Sequence, residues 1–90
     1  MTSLYRLKPN LLIQAVAEET VILDPDSGEY FTLDPVATRM VEGLRQQLPV
    51  ARIAQELAAE YEVEAGQVEK DFDELMETMV QQGLVERAGG

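Results

Sequence analysis

The hydrophobic pattern of the chain changes its period at Asp34-Pro35, and this change constrains the fold more than any other feature. Residues 11–33 are rich in strand-forming side chains broken by turn residues, whereas apolar side chains recur at spacings of three and four from Asp34 to about Gln82. The chain has 90 residues and no internal repeat, which suits one domain. We therefore expect a single α+β domain over residues 1–90, with a small sheet followed by helices.

Three strands are predicted over residues 11–16, 20–23 and 29–33, and the turn between the last two is the clearest local signal. Pro25 presets a turn, and Gly28 can take the positive φ that closes a hairpin loop. The same segment, from Asp24 onward, resembles the start of a calcium loop. An EF-hand requires glycine at its sixth position and glutamate at its twelfth, where this chain has Glu29 and Pro35. The segment thus predicts a hairpin and no metal site.

Three helices are predicted over residues 35–47, 50–61 and 65–82. The Asp34 carboxylate can cap free N–H groups of the first helix, and Pro49 separates the first helix from the second. Gly83 ends the third helix and leaves residues 84–86 as a short extended tail. With the N-terminal three-stranded antiparallel sheet, this order of elements predicts a winged helix-turn-helix arrangement.

The composition argues against catalysis. The chain has no Cys and no His, which removes thiolate chemistry, the usual zinc ligands and the commonest acid or base near neutral pH. No Gly-rich phosphate loop or activated serine accompanies the carboxylates. The N-terminus, Met1 to Arg6, is unlike a signal peptide, and no segment approaches the ~20 apolar residues that span a bilayer. We expect a cytoplasmic protein that is not an enzyme and uses no cofactor or metal.

The charge of the chain argues against nucleic acid and membrane surfaces as partners. Seventeen Asp and Glu residues against seven Lys and Arg residues give a formal net charge of −10. The third helix, which would enter a DNA groove in a helix-turn-helix protein, carries six acidic residues between Glu64 and Gln82 and one lysine, Lys70. Basic partners are favoured instead.

Two features indicate a surface for a peptide. A sheet of three strands exposes backbone N–H and C=O groups on an edge unless it closes or dimerises, and such an edge can accept another strand. The apolar residues of the third helix sweep about 140°, wider than the roughly 100° stripe of a core-facing helix. The surplus could line a groove, in which methionine side chains would accept varied apolar groups. Of Val68, Phe72, Leu75 and Met79, we expect most to be core residues, with one edge of the apolar stripe left over.

The ordered set of motifs resembles the PqqD-like family, the RiPP recognition elements that bind leader peptides of ribosomally made natural products. The resemblance is carried by Val21-Ile22-Leu23-Asp24, Ser27-Gly28-Glu29-Tyr30-Phe31-Thr32-Leu33-Asp34 and Val36-Ala37, with Leu7-Lys8-Pro9, Ile53-Ala54 before Leu57, and Gly83-Leu84-Val85. It implies that a leader adds antiparallel to the third strand, in a cleft beside the third helix. The implied peptide-binding residues are Glu29, Tyr30, Phe31, Thr32, Leu33, Val68, Asp71, Phe72, Leu75, Met76 and Met79.

Within the family, the hairpin and the Leu33-Asp34 helix start are most similar to the stand-alone leader-binding proteins of lasso peptide clusters. That similarity implies a transglutaminase-like leader protease as a partner and, through it, a lasso cyclase. Two alternatives remain: a peptide chaperone for a radical SAM enzyme, as in pyrroloquinoline quinone biosynthesis, and an acidic helix-turn-helix domain that binds only proteins. Genomic neighbours would distinguish the lasso peptide pathway from the radical SAM pathway.

Overall fold

The computed structural model describes residues 5–17 and 19–87. Residues 1–4, 18 and 88–90 lie outside the description, so the N-terminal residues used above against a signal peptide, and the ends of the single domain expected over 1–90, are not described. In chain order the elements are β1 (Tyr5–Leu7), β2 (Leu12–Val16), β3 (Glu19–Leu23), β4 (Tyr30–Leu33), α1 (Pro35–Arg45), α2 (Val50–Tyr61), α3 (Ala65–Gln81) and β5 (Val85–Arg87).

The predicted three-stranded antiparallel sheet is confirmed, with the order β2-β3-β4. Its β3–β4 hairpin is closed by local chemistry. Asp24 Oδ1 accepts a hydrogen bond from the Asp26 N–H at 2.9 Å, and Gly28 adopts φ +76°, which a residue with a Cβ rarely takes. The Asp24 carboxylate therefore stabilises a turn, as the sequence indicates.

The three predicted helices are confirmed, and their ends follow the predicted caps. Asp34 Oδ1 accepts a hydrogen bond from the Ala37 N–H at 2.7 Å at the start of α1. At the end of α3, Gly83 adopts φ +76° and the Leu84 N–H donates to the Met79 carbonyl at 2.9 Å, which reverses the chain toward β5. The helix α1 ends at Arg45, two residues before the predicted Gln47, because Gln47 takes a left-handed φ of +60°.

A second sheet, of two strands, was not predicted. β1 pairs antiparallel with β5, with Tyr5 opposite Arg87 and Leu7 opposite Val85. The backbone N–H of Lys8 extends the pairing by donating to the Leu84 carbonyl at 3.1 Å. The predicted tail after Gly83 is thus a strand, and its partner lies at the other end of the chain.

The core lies between the inner face of the three-stranded sheet and the three helices. Ile22 and Leu33 come from the sheet, and α3 contributes four side chains that are at most 5% exposed: Val68, Phe72, Met76 and Met79. At the contact of α1 with α2, Gly43 lies so close to Ile53 that a Cβ on it would be 2.7 Å from Ile53 Cγ1. The α+β class is confirmed. In the described part of the chain, none of the helices combines the length and apolar character needed to cross a membrane.

Candidate peptide-binding site

Among the described residues, the strand β4 pairs on one side, with β3. In an antiparallel pair, successive residues alternate between bonding to the partner strand and pointing their N–H and C=O away from it. The Asp24 N–H donates to the Glu29 carbonyl at 2.9 Å, so the Asp24–Glu29 pair is of the bonded type. Counting along the register, Phe31 and Leu33 also bond to β3, whereas Tyr30 and Thr32 direct their backbone groups to the open edge. Two residues therefore offer main-chain donors and acceptors to an added strand.

The C-terminal end of α3 lies beside the start of this strand. A small recess of about 10 Å³ lies between β4 and the residues that follow α3. It is lined by Tyr30 and Phe31 of β4 and by Gln82 and Leu84 after the helix. Glu29 lines the same recess and is exposed. The start of β4 thus lies next to the end of α3.

The orientation of α3 determines which of its side chains can face that recess. At about 100° per residue, Leu75 and Asp71 lie on the same flank of the helix as Gln82. The opposite flank carries Glu77, which pairs with Arg87 and accepts a hydrogen bond from the Tyr5 hydroxyl at 3.3 Å. Burial raises the pKa of that hydroxyl, and the bond to Glu77 raises it further. The flank with Asp71 and Leu75 is therefore on the side of Gln82, which lines the recess at the start of β4.

The predicted site residues divide into an accessible group and a core group. Glu29, Tyr30, Thr32 and Asp71 are exposed, with Tyr30 at 72%, and Phe31 and Leu75 are half-buried. The remaining members are core residues that are at most 5% exposed in the chain without a peptide: Leu33, Val68, Phe72, Met76 and Met79. The two methionines lie in the core and not at the outer edge of the apolar arc. Their role as peptide contacts stays a prediction.

The electrostatics of the accessible group are set by a few side chains. Asp71 is exposed, and its Oδ1 accepts a hydrogen bond from Gln67 Nε2 at 2.9 Å, which holds the carboxylate on the helix surface. Lys70 makes no ion pair with the described residues. The accessible group thus combines backbone groups at a strand edge, a half-buried apolar side chain at Leu75 and an exposed carboxylate at Asp71.

Sequence reasoning missed the contribution of Gln82 and Leu84 to the recess. The relevant signal was present at Gly83, because a left-handed cap turns the following residue back toward the helix. Leu84, at 3% exposed, follows that turn and packs into the core between α3 and the sheet. The direction of the turn places the helix end next to β4.

Comparison with known proteins places this geometry in a family. Residues 19–85 match the sequence model of the family described as coenzyme PQQ synthesis protein D (PqqD). The PqqA binding protein of Xanthomonas euvesicatoria pv. vesicatoria (strain 85-10) is 35% identical over 68 residues, which cover 76% of this chain and 72% of that protein. The match to the family model includes β3, β4 and all three helices.

Two solved structures have the same fold over almost the whole chain. A lasso peptide synthetase B1 complexed with the leader peptide superposes with a TM-score of 0.86 and 32% identity, covering 93% of this chain and 99% of that one. TbiB1 in complex with the TbiA(beta) leader peptide gives a TM-score of 0.85 and 25% identity, covering 94% and 99%. The family match, the curated relative and these structures agree, and the chain belongs to the PqqD family.

Proposed function

We propose that this chain binds the leader region of a ribosomally synthesised precursor peptide by β-strand addition and presents it to processing enzymes. The observation that carries the proposal is the open edge of β4, where Tyr30 and Thr32 direct their backbone groups away from β3. The start of this strand lies beside the end of α3. The two similar structures, which are complexes with leader peptides, support the same reading.

Strand addition lets such a site accept many leader sequences and still select among their side chains. Main-chain hydrogen bonds to Tyr30 and Thr32 are independent of the leader's side chains, so they supply affinity for many sequences. Because side chains of a strand alternate, every second leader residue would face α3 and meet Leu75 and Asp71. The core residues of the predicted site would be reached only where a leader side chain enters between strand and helix.

The proposal also includes the enzymes that receive the bound leader. We infer that the chain is a non-enzymatic, cytoplasmic binder that serves a transglutaminase-like leader protease and, through it, a lasso cyclase. The similarity to a lasso peptide synthetase B1 favours this pathway. The relative named PqqA binding protein favours the second candidate, a peptide chaperone for a radical SAM enzyme. A protease gene and a cyclase gene next to this one would support the first, and a radical SAM gene the second.

The direct test is a titration of the leader encoded next to this chain. A fluorescently labelled leader should bind saturably at micromolar concentration or below, as followed by fluorescence anisotropy. A scrambled leader of the same composition is the control and should bind at least tenfold more weakly, corresponding to about 1.4 kcal/mol. Absence of saturable binding by any neighbouring leader would overturn the proposal.

The charge at Asp71 leads to a second prediction. We expect Asp71→Lys to weaken binding of a leader with basic residues by about threefold to tenfold at low salt, because an exposed attraction becomes a repulsion. High salt should reduce the difference. Asp73→Lys is the matched control, since it makes the same change in charge on the opposite flank of α3. Equal effects of the two substitutions would show that overall charge, and not a contact at Asp71, governs the affinity.

A further inference from the structure

A second concave surface lies away from the β4 edge. It has a volume of about 470 Å³ and is enclosed by β1, residues 8–10, β2 and the end of α1. Leu7, Leu11, Ile13 and Leu44 contribute apolar side chains that are half-buried or buried. We call this surface the basic cleft, because its charged lining residues are Arg6, Lys8 and Arg45.

The charged side chains that line the basic cleft are opposite in sign to the net charge of the chain, and two of them pair with glutamates just outside the lining. Three of the seven Lys and Arg residues line it, and none of the seventeen Asp and Glu residues does. In a chain of net charge −10, most concave surfaces would include a carboxylate. This segregation of cations favours an acidic partner at this one place, whereas the rest of the surface repels it.

The two arginines of the cleft can change partners at little cost. Arg6 lies 3.6 Å from Glu86, and Arg45 lies 3.1 Å from Glu42. The side chains of both pairs are between 46% and 69% exposed, and ion pairs this exposed contribute little to stability. A carboxylate from a partner can therefore replace either glutamate without a large loss. Lys8 is held differently, with its Nζ at the end of α3, 3.6 Å from where a Cβ on Gly83 would lie.

The shape of the cleft fits a chain segment better than a compact anion. Tyr5, Arg6, Leu7 and Lys8 line it consecutively, although one face of a strand presents only alternate residues. The cleft therefore follows β1 along its length, beside the end of α1. An elongated apolar floor with a basic rim matches a segment that carries both apolar and acidic side chains.

The basic cleft and the peptide groove lie at opposite edges of the three-stranded sheet. The cleft includes Ile13 of β2, whereas the groove lies along β4. Two strand spacings, about 10 Å in total, separate these strands. A leader added to β4 therefore leaves the cleft open, and both sites can be occupied together.

We infer that the basic cleft docks an acidic, apolar-containing segment of the processing enzyme that receives the leader. The inference rests on the proposed function, since it assumes that a bound leader is delivered to an enzyme. It assigns the two interactions to separate surfaces: β4 and α3 hold the leader, and β1, β2 and the end of α1 hold the enzyme. Loss of one interaction should therefore leave the other intact.

The test uses the full chain with Arg6→Glu and Arg45→Glu together, and the purified transglutaminase-like protease proposed above as the probe. Arg39→Glu with Arg52→Glu is the control, because it changes the net charge equally at exposed residues outside the cleft and likewise removes two exposed ion pairs. Affinity for the protease is measured by isothermal titration calorimetry with leader present, and leader affinity is measured by fluorescence anisotropy. Circular dichroism verifies that both variants are folded.

We expect the cleft variant to bind the protease at least tenfold more weakly and the control variant within threefold of the unchanged chain. Both should bind the leader within twofold, and Arg6→Lys with Arg45→Lys should retain most of the protease affinity. Equal losses in the cleft and control variants, or no protease binding by the unchanged chain, would overturn the inference. A dimer of the unchanged chain in sedimentation that only the cleft variant abolishes would also overturn the inference. In that case a second copy of the chain would occupy the cleft. Failure of leader binding alone would instead reject the proposed function.

Discussion

Phe72→Ala should lower the free energy of unfolding by about 3–5 kcal/mol, the usual cost of removing a fully buried aromatic ring. Phe72 is 0% exposed, and its ring lies edge-on to Tyr5 with the centroids 6.4 Å apart. The ring therefore joins the α3 core to the β1–β5 sheet as well as to the main sheet. Since a domain of this size has a total stability of roughly 5–15 kcal/mol, the variant should lose a large share of it and unfold at a much lower urea concentration than the unchanged chain.

The measurement is urea denaturation followed by circular dichroism, with Tyr61→Ala as the control. Tyr61 is also an aromatic residue at a helical position, but it is 41% exposed, so its removal should cost less than about 1 kcal/mol. Similar midpoints for the two variants would contradict the central position of Phe72 in the core.

Thr32→Pro should weaken leader binding at least tenfold while the chain remains folded. The Thr32 N–H points to the open edge of β4, so proline there removes no bond to β3. It does remove a donor that an added strand needs, and an unsatisfied acceptor on the peptide costs about 1–3 kcal/mol. The proline ring also projects into the space of the incoming backbone.

Two further variants distinguish loss of the Thr32 N–H from loss of its side chain and from loss of stability. Both are measured by the same anisotropy titration. Thr32→Ala retains the N–H and should bind the leader within about twofold, because a β-strand addition depends on the main chain. Phe31→Pro removes the N–H that faces β3 and should instead destabilise the chain by about 1–3 kcal/mol. If Thr32→Pro bound the leader as tightly as Thr32→Ala, the bound leader would not be a strand on this edge.

Features fixed by local chemistry could be predicted from the sequence. The β3–β4 turn depends on Gly28, the start of α1 on the Asp34 carboxylate, and the end of α3 on Gly83. In each case, the hydrogen bonds or the φ value belong to residues within a few positions of one another. Such features need no knowledge of the rest of the fold.

Features set by tertiary contacts could not be predicted. β1 has three residues and no alternation long enough to indicate a strand, and its partner β5 is about 80 residues away. Likewise, the sequence shows the wide apolar arc of α3, but it does not show which residues of the arc are buried and which are accessible. The structure buries the middle of the arc and leaves both margins, Leu75 and Val80, half-buried. The two margins are distinguished only by tertiary contacts, which place Gln82 at the recess beside β4 and Glu77 beside Tyr5 and Arg87.

The pairing of β1 with β5 also determines how the domain responds to mechanical load. Tyr5 lies opposite Arg87, so the two ends of the described chain leave from the same end of an antiparallel pair. A pull on both ends opens the pairs one after another, as in a zipper, and does not load them together in shear. The small sheet should therefore yield at low force, and the Lys8–Leu84 hydrogen bond is the next to bear the load before the main sheet and the helices do.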